Sequence, residues 1–422
     1  MIAINCTSIN KIGGFFMMKK IIVALLLAGM LLLAGCQNAA TETTSCIGTM
    51  PSTTAESTPQ THTTTEMTVA KSTTSAETTT TITESSTSTG SNQKIEEPLT
   101  ADDIPYLKYE VEWNDQNYYR IDGLAYYFNK VRQSFTVIDH DTIRPYFVIA
   151  SEINGYPVEA IGIGAFEEMY ESPFPQLGEK YLRTVYIPDT VTYIEASAFD
   201  ECRTLQRIVG GRNVTTIEGS AFFGCTSLEE INFPSAKTIG NNAFYDCKKA
   251  EKAFLPSVTE AGKNALTHCS KLQYADISSL NVISESMFFC CLELTEVKLS
   301  PNLEAIHRMG FIDCYNLVSI ELPETVTYIG QSAFRGCRSL TEFTIPSQVT
   351  TLRALTFYDC NNLQRLEIPK GVTQIYPSVI RMDSQTMTFV MHEETYQAIS
   401  QSSPIFIKNC EEYSNITIEI IP

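Results

Sequence analysis

Cysteine and histidine are the side chains of this sequence with the most chemistry in them, and their spacing narrows what they do. Of the thirteen Cys, eight recur every 22 or 23 residues: Cys202, Cys225, Cys247, Cys269, Cys291, Cys314, Cys337 and Cys360. Equivalent residues of stacked coils sit about 4.8 Å apart, whereas a disulfide wants Cβ atoms about 3.5–4.5 Å apart. A straight row of thiols also fails to converge on a tetrahedral zinc. The column therefore reads as small buried hydrophobes, reduced and without metal. Cys46, Cys290 and Cys410 stand outside it without an assigned role. Of the five His, His62 lies in a polar stretch, His268 abuts a column Cys, and His392-Glu393 lacks a second His. Asp139-His140-Asp141 reads as a surface turn, because three polar residues fall short of a closed metal site. No Gly-x-Ser-x-Gly, His-Glu-x-x-His or phosphate-cradling glycine loop occurs. No catalytic residue, metal or cofactor is expected.

Cys36 is a different case. Lys19-Lys20 precedes a charge-free apolar run from Ile21 to Ala34, too short for a permanent membrane span, which needs about 20 residues. A basic start, a short apolar stretch and small residues before a cut make a secretory signal. Leu33-Ala34-Gly35-Cys36 looks like a bacterial lipobox, in which the thiol receives a diacylglycerol and becomes the first mature residue. Residues 1–35 are thus expected as a lipoprotein signal peptide and Cys36 as the lipid-attachment site, with an ordinary secretory signal as the alternative. Translation starting at Met17 or Met18 fits the same pattern. The expected location is the extracellular face of the bacterial membrane, lipid-anchored and displayed at the cell surface.

Residues 36–97 read as a disordered tether. More than half of residues 41–91 are Ser or Thr, with no aromatic residue and no apolar period, so burial cannot offset ordering entropy. Some 60 residues of flexible chain span roughly 40 Å on average and about 200 Å when pulled straight. The formal charge of −18, with no basic block, excludes nucleic acid as a partner. It also leaves lipid rather than electrostatics to hold the chain to a membrane.

The rest of the chain must position the cysteine column. Residues 98–147 are Tyr-rich and mostly alternating, with turn signals at 114–117 and Asp122-Gly123, and read as two or three antiparallel strands that cap the repeats. From residue 148 to 380 the chain repeats itself. Three residues before each column Cys stands Phe199, Phe222, Phe244, Leu266, Phe288, Phe311, Phe334 or Phe357. Three residues after stands Leu205, Leu228, Ala250, Leu272, Leu294, Leu317, Leu340 or Leu363. A fixed period of about 20–29 residues with apolar columns is the mark of a leucine-rich solenoid. Leu-x-x-Ile-x-Ile-Pro reads as a short parallel strand ended by proline. Ala-Phe-x-x-Cys reads as a single helical turn that places Phe and Cys inside. About nine coils stacked with right-handed crossovers are expected, with a C-terminal cap over 381–422.

The best-preserved copy, Ile329-Gly330, Ala333-Phe334, Cys337, Leu340 and Ile345-Pro346, resembles the BspA-like leucine-rich-repeat family of bacterial surface proteins. Residues 149–158 look like that family's entry into the first coil. The resemblance implies surface display with binding or adhesion, and no common chemistry. Leu266, Ala250 and Ser278 depart from the pattern and suggest a less regular middle.

Residues two and four positions after each column Leu face away from the core. Among them Tyr186, Val209, Phe254 and Tyr274 are the candidate ligand-binding residues, since exposed aromatics on a rigid face make binding anchors. Three functions compete: a tethered module binding an extracellular protein or polysaccharide, a structural surface or spacer protein without a specific ligand, and a tethered enzyme as a distant third. The varied, partly aromatic outer face favours the first.

Overall fold

The computed structural model describes residues 118–140, 144–167, 182–382 and 386–422. The signal segment with Cys36, the tether, residues 98–117 of the expected cap, Asp141 and the insertion before Leu182 lie outside the described residues.

Leu-x-x-Ile-x-Ile alternates, so its third and fifth residues after Leu point one way and its second and fourth the other. The inward pairs Ile231/Phe233, Ala253/Leu255, Ala275/Ile277, Phe343/Ile345 and Leu366/Ile368 are all buried. Successive strands pair in parallel with equivalent residues in register, as in Lys252↔Tyr274 and Phe254↔Asp276. Each coil adds a second, two-residue strand, such as Tyr193–Ile194, Thr216–Ile217 and Thr238–Ile239, again stacked in parallel. The fold is a leucine-rich solenoid of about ten coils. It extends one coil past Phe357, whose N–H donates to the Val379 carbonyl at 2.8 Å.

The Ala-Phe-x-x-Cys segments differ from the expected helical turn. They are chains of tight turns with two left-handed residues per coil, for example Ser197 (φ 55°) and Glu201 (φ 59°). That geometry aims alternate N–H groups at the next coil. Ser197, Phe199 and Glu201 donate to the carbonyls of Gly219, Ala221 and Phe223 at 3.1, 2.7 and 2.7 Å. A helix would have turned those donors along its own axis, leaving the stack without this ladder.

Inside the turns the Phe rings lie nearly parallel, one above another. Phe166–Phe199, Phe199–Phe222 and Phe222–Phe244 have centroids 4.8, 4.9 and 5.1 Å apart. The stack resumes at Phe288–Phe311 and Phe311–Phe334. Leu266 interrupts it, as its departure from the repeat suggested.

The sheet of longer strands comes in three sections: Tyr146–Val148, Thr184–Ile187 and Arg207–Gly210; then Glu230–Asn232 through Glu296–Lys298; then Glu342–Thr344 through Ile416–Ile421. The middle section holds the strands after Cys225, Cys247, Cys269 and Cys291, the four cysteines spaced by 22 rather than 23 residues. One residue more or less per coil shifts the path after the strand. The middle section ends where the coil length changes, and the middle, expected to be less regular, carries four consecutive strands paired without a break.

Both ends are covered. A meander of Tyr118–Ile121, Leu124–Asn129 and Ser134–His140 joins Tyr156–Ile161 in parallel through Phe135↔Val158. Its first tight turn falls at Asp122-Gly123, both left-handed. At the other end Met387–His392 pairs with Arg365–Ile368 and Ile416–Ile421, beside helices Glu393–Ser402 and Pro404–Glu412. A solenoid needs such ends, because its last coil would otherwise expose an apolar face and an unpaired edge.

Candidate binding face

Asp139-His140 is not a surface turn. His140 ends a strand, its ring lies 5.7 Å from Phe166 in a stacked arrangement, and its Nδ1 donates to the Ala165 carbonyl at 3.0 Å. It caps the Phe stack. Among the described residues no group of His, Cys, Asp and Glu is placed to hold a metal ion.

The column cysteines are buried thiols outside any disulfide. Each Sγ–H points at the carbonyl of the Phe-column residue one coil earlier. Cys225 donates to Phe199, Cys314 to Phe288, Cys337 to Phe311 and Cys360 to Phe334, at 3.2, 3.3, 3.3 and 3.0 Å. The same carbonyls already accept an N–H within their own turn, as Phe199 does from Cys202 at 3.2 Å. Cysteine thus fills a small apolar site and satisfies a second lone pair. Burial pushes the thiols of Cys247, Cys291, Cys314 and Cys337 well above their ordinary range, and those of Cys360 and Cys410 up to about 12.

The four candidate binding residues all lie on the outer side of the strand sheet, each half-buried by its neighbours rather than open. They form two pairs. Tyr186 and Val209 are register partners in the first section. Phe254 and Tyr274 sit diagonally in the second, with ring centroids 5.7 Å apart and planes at 48°. Asn232, in register with Phe254, lies between the pairs. Beside the second pair, Lys298 Nζ bridges to Asp276 Oδ2 at 3.0 Å, and the Ser278 N–H reaches Asp276 Oδ1 at 3.1 Å. Burial raises the Asp276 carboxyl; the Ser278 and Lys298 donors outweigh it and hold the group below its ordinary value. The result is two rings flanked by a fixed ion pair, on strands locked by the ladder.

Around Tyr186 the face deepens into a groove of about 410 Å³ lined by Tyr146, Arg183, Arg207 and Glu229 among others. Arg207 pairs with Glu229 at 3.4 Å across two coils. Tyr146 and Arg183 escaped the sequence reading. Tyr146 lies on the first strand of the sheet, in register with Thr184, but that coil has no Leu-x-x-Ile-x-Ile signature to mark it.

A second aromatic row was also missed. Phe223, Tyr245, His268 and Phe289 run along the turn side with successive centroids 5.0, 5.4 and 5.2 Å apart. Burial pushes the His268 imidazole below its ordinary value. The signal was available, because Phe223, Tyr245 and Phe289 each follow a column Phe and His268 precedes a column Cys.

A closed-ended leucine-rich solenoid with a partly aromatic strand face defines the class. The family profile described as "BspA type Leucine rich repeat region" matches residues 177–288 and 304–420 in six copies, more than half of the chain. The chain belongs to the BspA-type leucine-rich-repeat family. No curated protein matches it. Among solved structures, a leucine-rich repeat protein from Bacteroides ovatus is 22% identical, covering 65% of this chain and 80% of its own, with a TM-score of 0.49. The T. pallidum leucine-rich repeat protein is 25% identical over 46% of this chain and 88% of its own, at 0.40. A leucine rich cell surface protein from Faecalibacterium prausnitzii is 20% identical over 68% and 98%, at 0.29.

Proposed function

We propose that this chain is a lipid-anchored surface protein that binds an extracellular protein or polysaccharide through the strand face, with Phe254 and Tyr274 as its central anchors. One observation carries the reading: two aromatic rings 5.7 Å apart stand on paired strands beside a fixed Asp276–Lys298 ion pair. Rigid rings lose little entropy on binding, so a small pair can dominate affinity. Rings at this angle receive a sugar face or an apolar side chain, and the neighbouring charges orient polar groups. The Cys36 motif and the polar stretch after it supply the anchor and the reach from the membrane.

The test is a screen of the full chain against extracellular-matrix proteins and cell-wall and plant polysaccharides, repeated with Phe254→Ala and Tyr274→Ala. Each variant should weaken the bound ligand by about 1–3 kcal/mol without lowering Tm, whereas Thr344→Ala should do little. Full binding by the folded double variant removes this site. In the same cells Cys36→Ser should abolish fatty-acid labelling, and labelling that persists removes the anchor.

A further inference from the structure

The outer sheet has a slit where one coil fails to join it. In the middle section a regular bond closes each step: Phe233 N–H to the Phe254 carbonyl, Leu255 to Asp276 and Ile277 to Lys298, at 3.1, 3.0 and 3.0 Å. Ile345 to Glu367 repeats it at 3.0 Å farther along. Among the described residues this bond is absent at the two steps between, although the Asn316 N–H still reaches the Leu292 carbonyl at 3.1 Å and the Thr341 N–H the Val318 carbonyl at 3.4 Å. Leu299 N–H does not reach the Glu321 carbonyl, Leu322 N–H does not reach Thr344, and residues 317–323 form no strand. Yet the same coils are zipped along their other sides. Ala305–Ile306 pairs with both Val282–Ile283 and Tyr328–Ile329, and Phe311 and Asp313 donate to Ala333 and Arg335 at 2.8 and 2.7 Å.

The coils therefore stand open on one side only, along a groove of about 490 Å³, within the roughly 300–1,000 Å³ of ordinary ligand sites. Its floor is Val297, Leu299, Ile320 and Leu322, which are only partly buried, whereas the equivalent residues of the neighbouring coils are fully covered. Its walls carry unused strand N–H and C=O groups. Its outer lip carries Glu296 and Glu321, both exposed, with Glu342 one coil on. Among the described residues none of the three has an ion-pair partner, and the nearby Lys298 is held by Asp276.

We propose that this slit receives one extended peptide segment of a partner protein, with apolar side chains alternating with basic ones. Its main chain would complete the interrupted ladder, its apolar side chains would cover Val297, Leu299, Ile320 and Leu322, and its basic side chains would meet the glutamates. The site is independent of the Phe254–Tyr274 reading and survives its failure.

The probe is a fluorescent heptapeptide of alternating lysine and valine, added to the full chain and monitored by anisotropy and by hydrogen exchange. Binding should slow exchange at least about tenfold in segments 295–301 and 318–323, the sign of added main-chain bonds. Exchange in 274–276, already paired, should not change. Glu321→Lys, a surface change two coils along from Tyr274, should weaken binding at least about tenfold, and an alternating glutamate–valine peptide should not bind. The proposal is overturned if the lysine peptide leaves both segments unprotected, or if the glutamate peptide binds as well. Protection already present without peptide also overturns it; where that protection rises with protein concentration, the occupant is a second copy of this chain.

Discussion

A column cysteine is chosen for two properties at once: it fits where a methyl-sized group fits, and its S–H answers a carbonyl of the coil before. Burial also gives the column a pH signature. The folded thiols titrate well above 9.0, the ordinary value, which the unfolded chain retains. Above pH 9 the unfolded state therefore loses protons that the folded state keeps, so its population grows. The stability from these thiols is complete below pH 9 and falls as pH rises past it. Melting temperature should decline from pH 8.5 to 10.5, and Cys337→Ala should flatten that decline while lowering stability at pH 7. In the native protein at pH 8, iodoacetamide should leave Cys225, Cys314 and Cys337 unlabelled, since the thiolate is the nucleophile. Labelling of any of them without unfolding contradicts the buried column.

At the scale of the coil, Gly240, which follows the short strand ending at Ile239, is a local packing requirement, although the equivalent position of other coils holds Glu218, Ser284 or His307. A Cβ built on Gly240 would lie 2.3 Å from the Gly219 nitrogen and 2.7 Å from its Cα, both backbone atoms of the previous coil. On Gly219 the nearest atom is the Asn241 carbonyl oxygen at 3.4 Å, an ordinary contact. Gly240→Ala should therefore force the coils apart and cost about 1–3 kcal/mol, while Gly219→Ala should be nearly neutral. Urea denaturation of the two variants separates these outcomes, and equal midpoints would mean that the coils are not so closely stacked. The same tight stacking makes the slit at residues 317–323 conspicuous, because it opens between coils that elsewhere touch backbone to backbone.

For the whole molecule, contacts run only between neighbouring coils, so stability spreads along one dimension. Phe334 stacks on Phe311 at 5.3 Å and on Phe357 at 5.8 Å, and meets Phe343 at a tilt at 5.0 Å. Phe334→Ala should cost about 3–5 kcal/mol. The loss should appear first as faster hydrogen exchange in the coils around residues 311–357, with the N-terminal meander still protected. Uniform acceleration across the chain would show one cooperative unit instead. The slit's second wall, residues 317–323, falls inside this region, where the outer sheet is interrupted.

Repetition made most of this fold legible. When the same apolar columns recur eight times, parity alone assigns inward and outward residues, and Val185, Ile231 and Leu366 are buried as the alternation requires. The reduced cysteine column came from spacing, and so did the diagonal placement of Phe254 beside Tyr274. Three things were decided only by the stack. The Phe-x-x-Cys segment became a left-handed turn chain instead of a helix, because its N–H groups are claimed by the next coil. The candidate anchors are half-buried, because their exposure depends on side chains one coil away. Residues 317–323, Leu-Val-Ser-Ile-Glu-Leu-Pro, match the strand signature as well as any copy, yet they form no strand. A strand's ladder bonds belong to two coils, and whether they close depends on how the neighbour is placed. The sequence carries that only as the change from 22- to 23-residue spacing at Cys291.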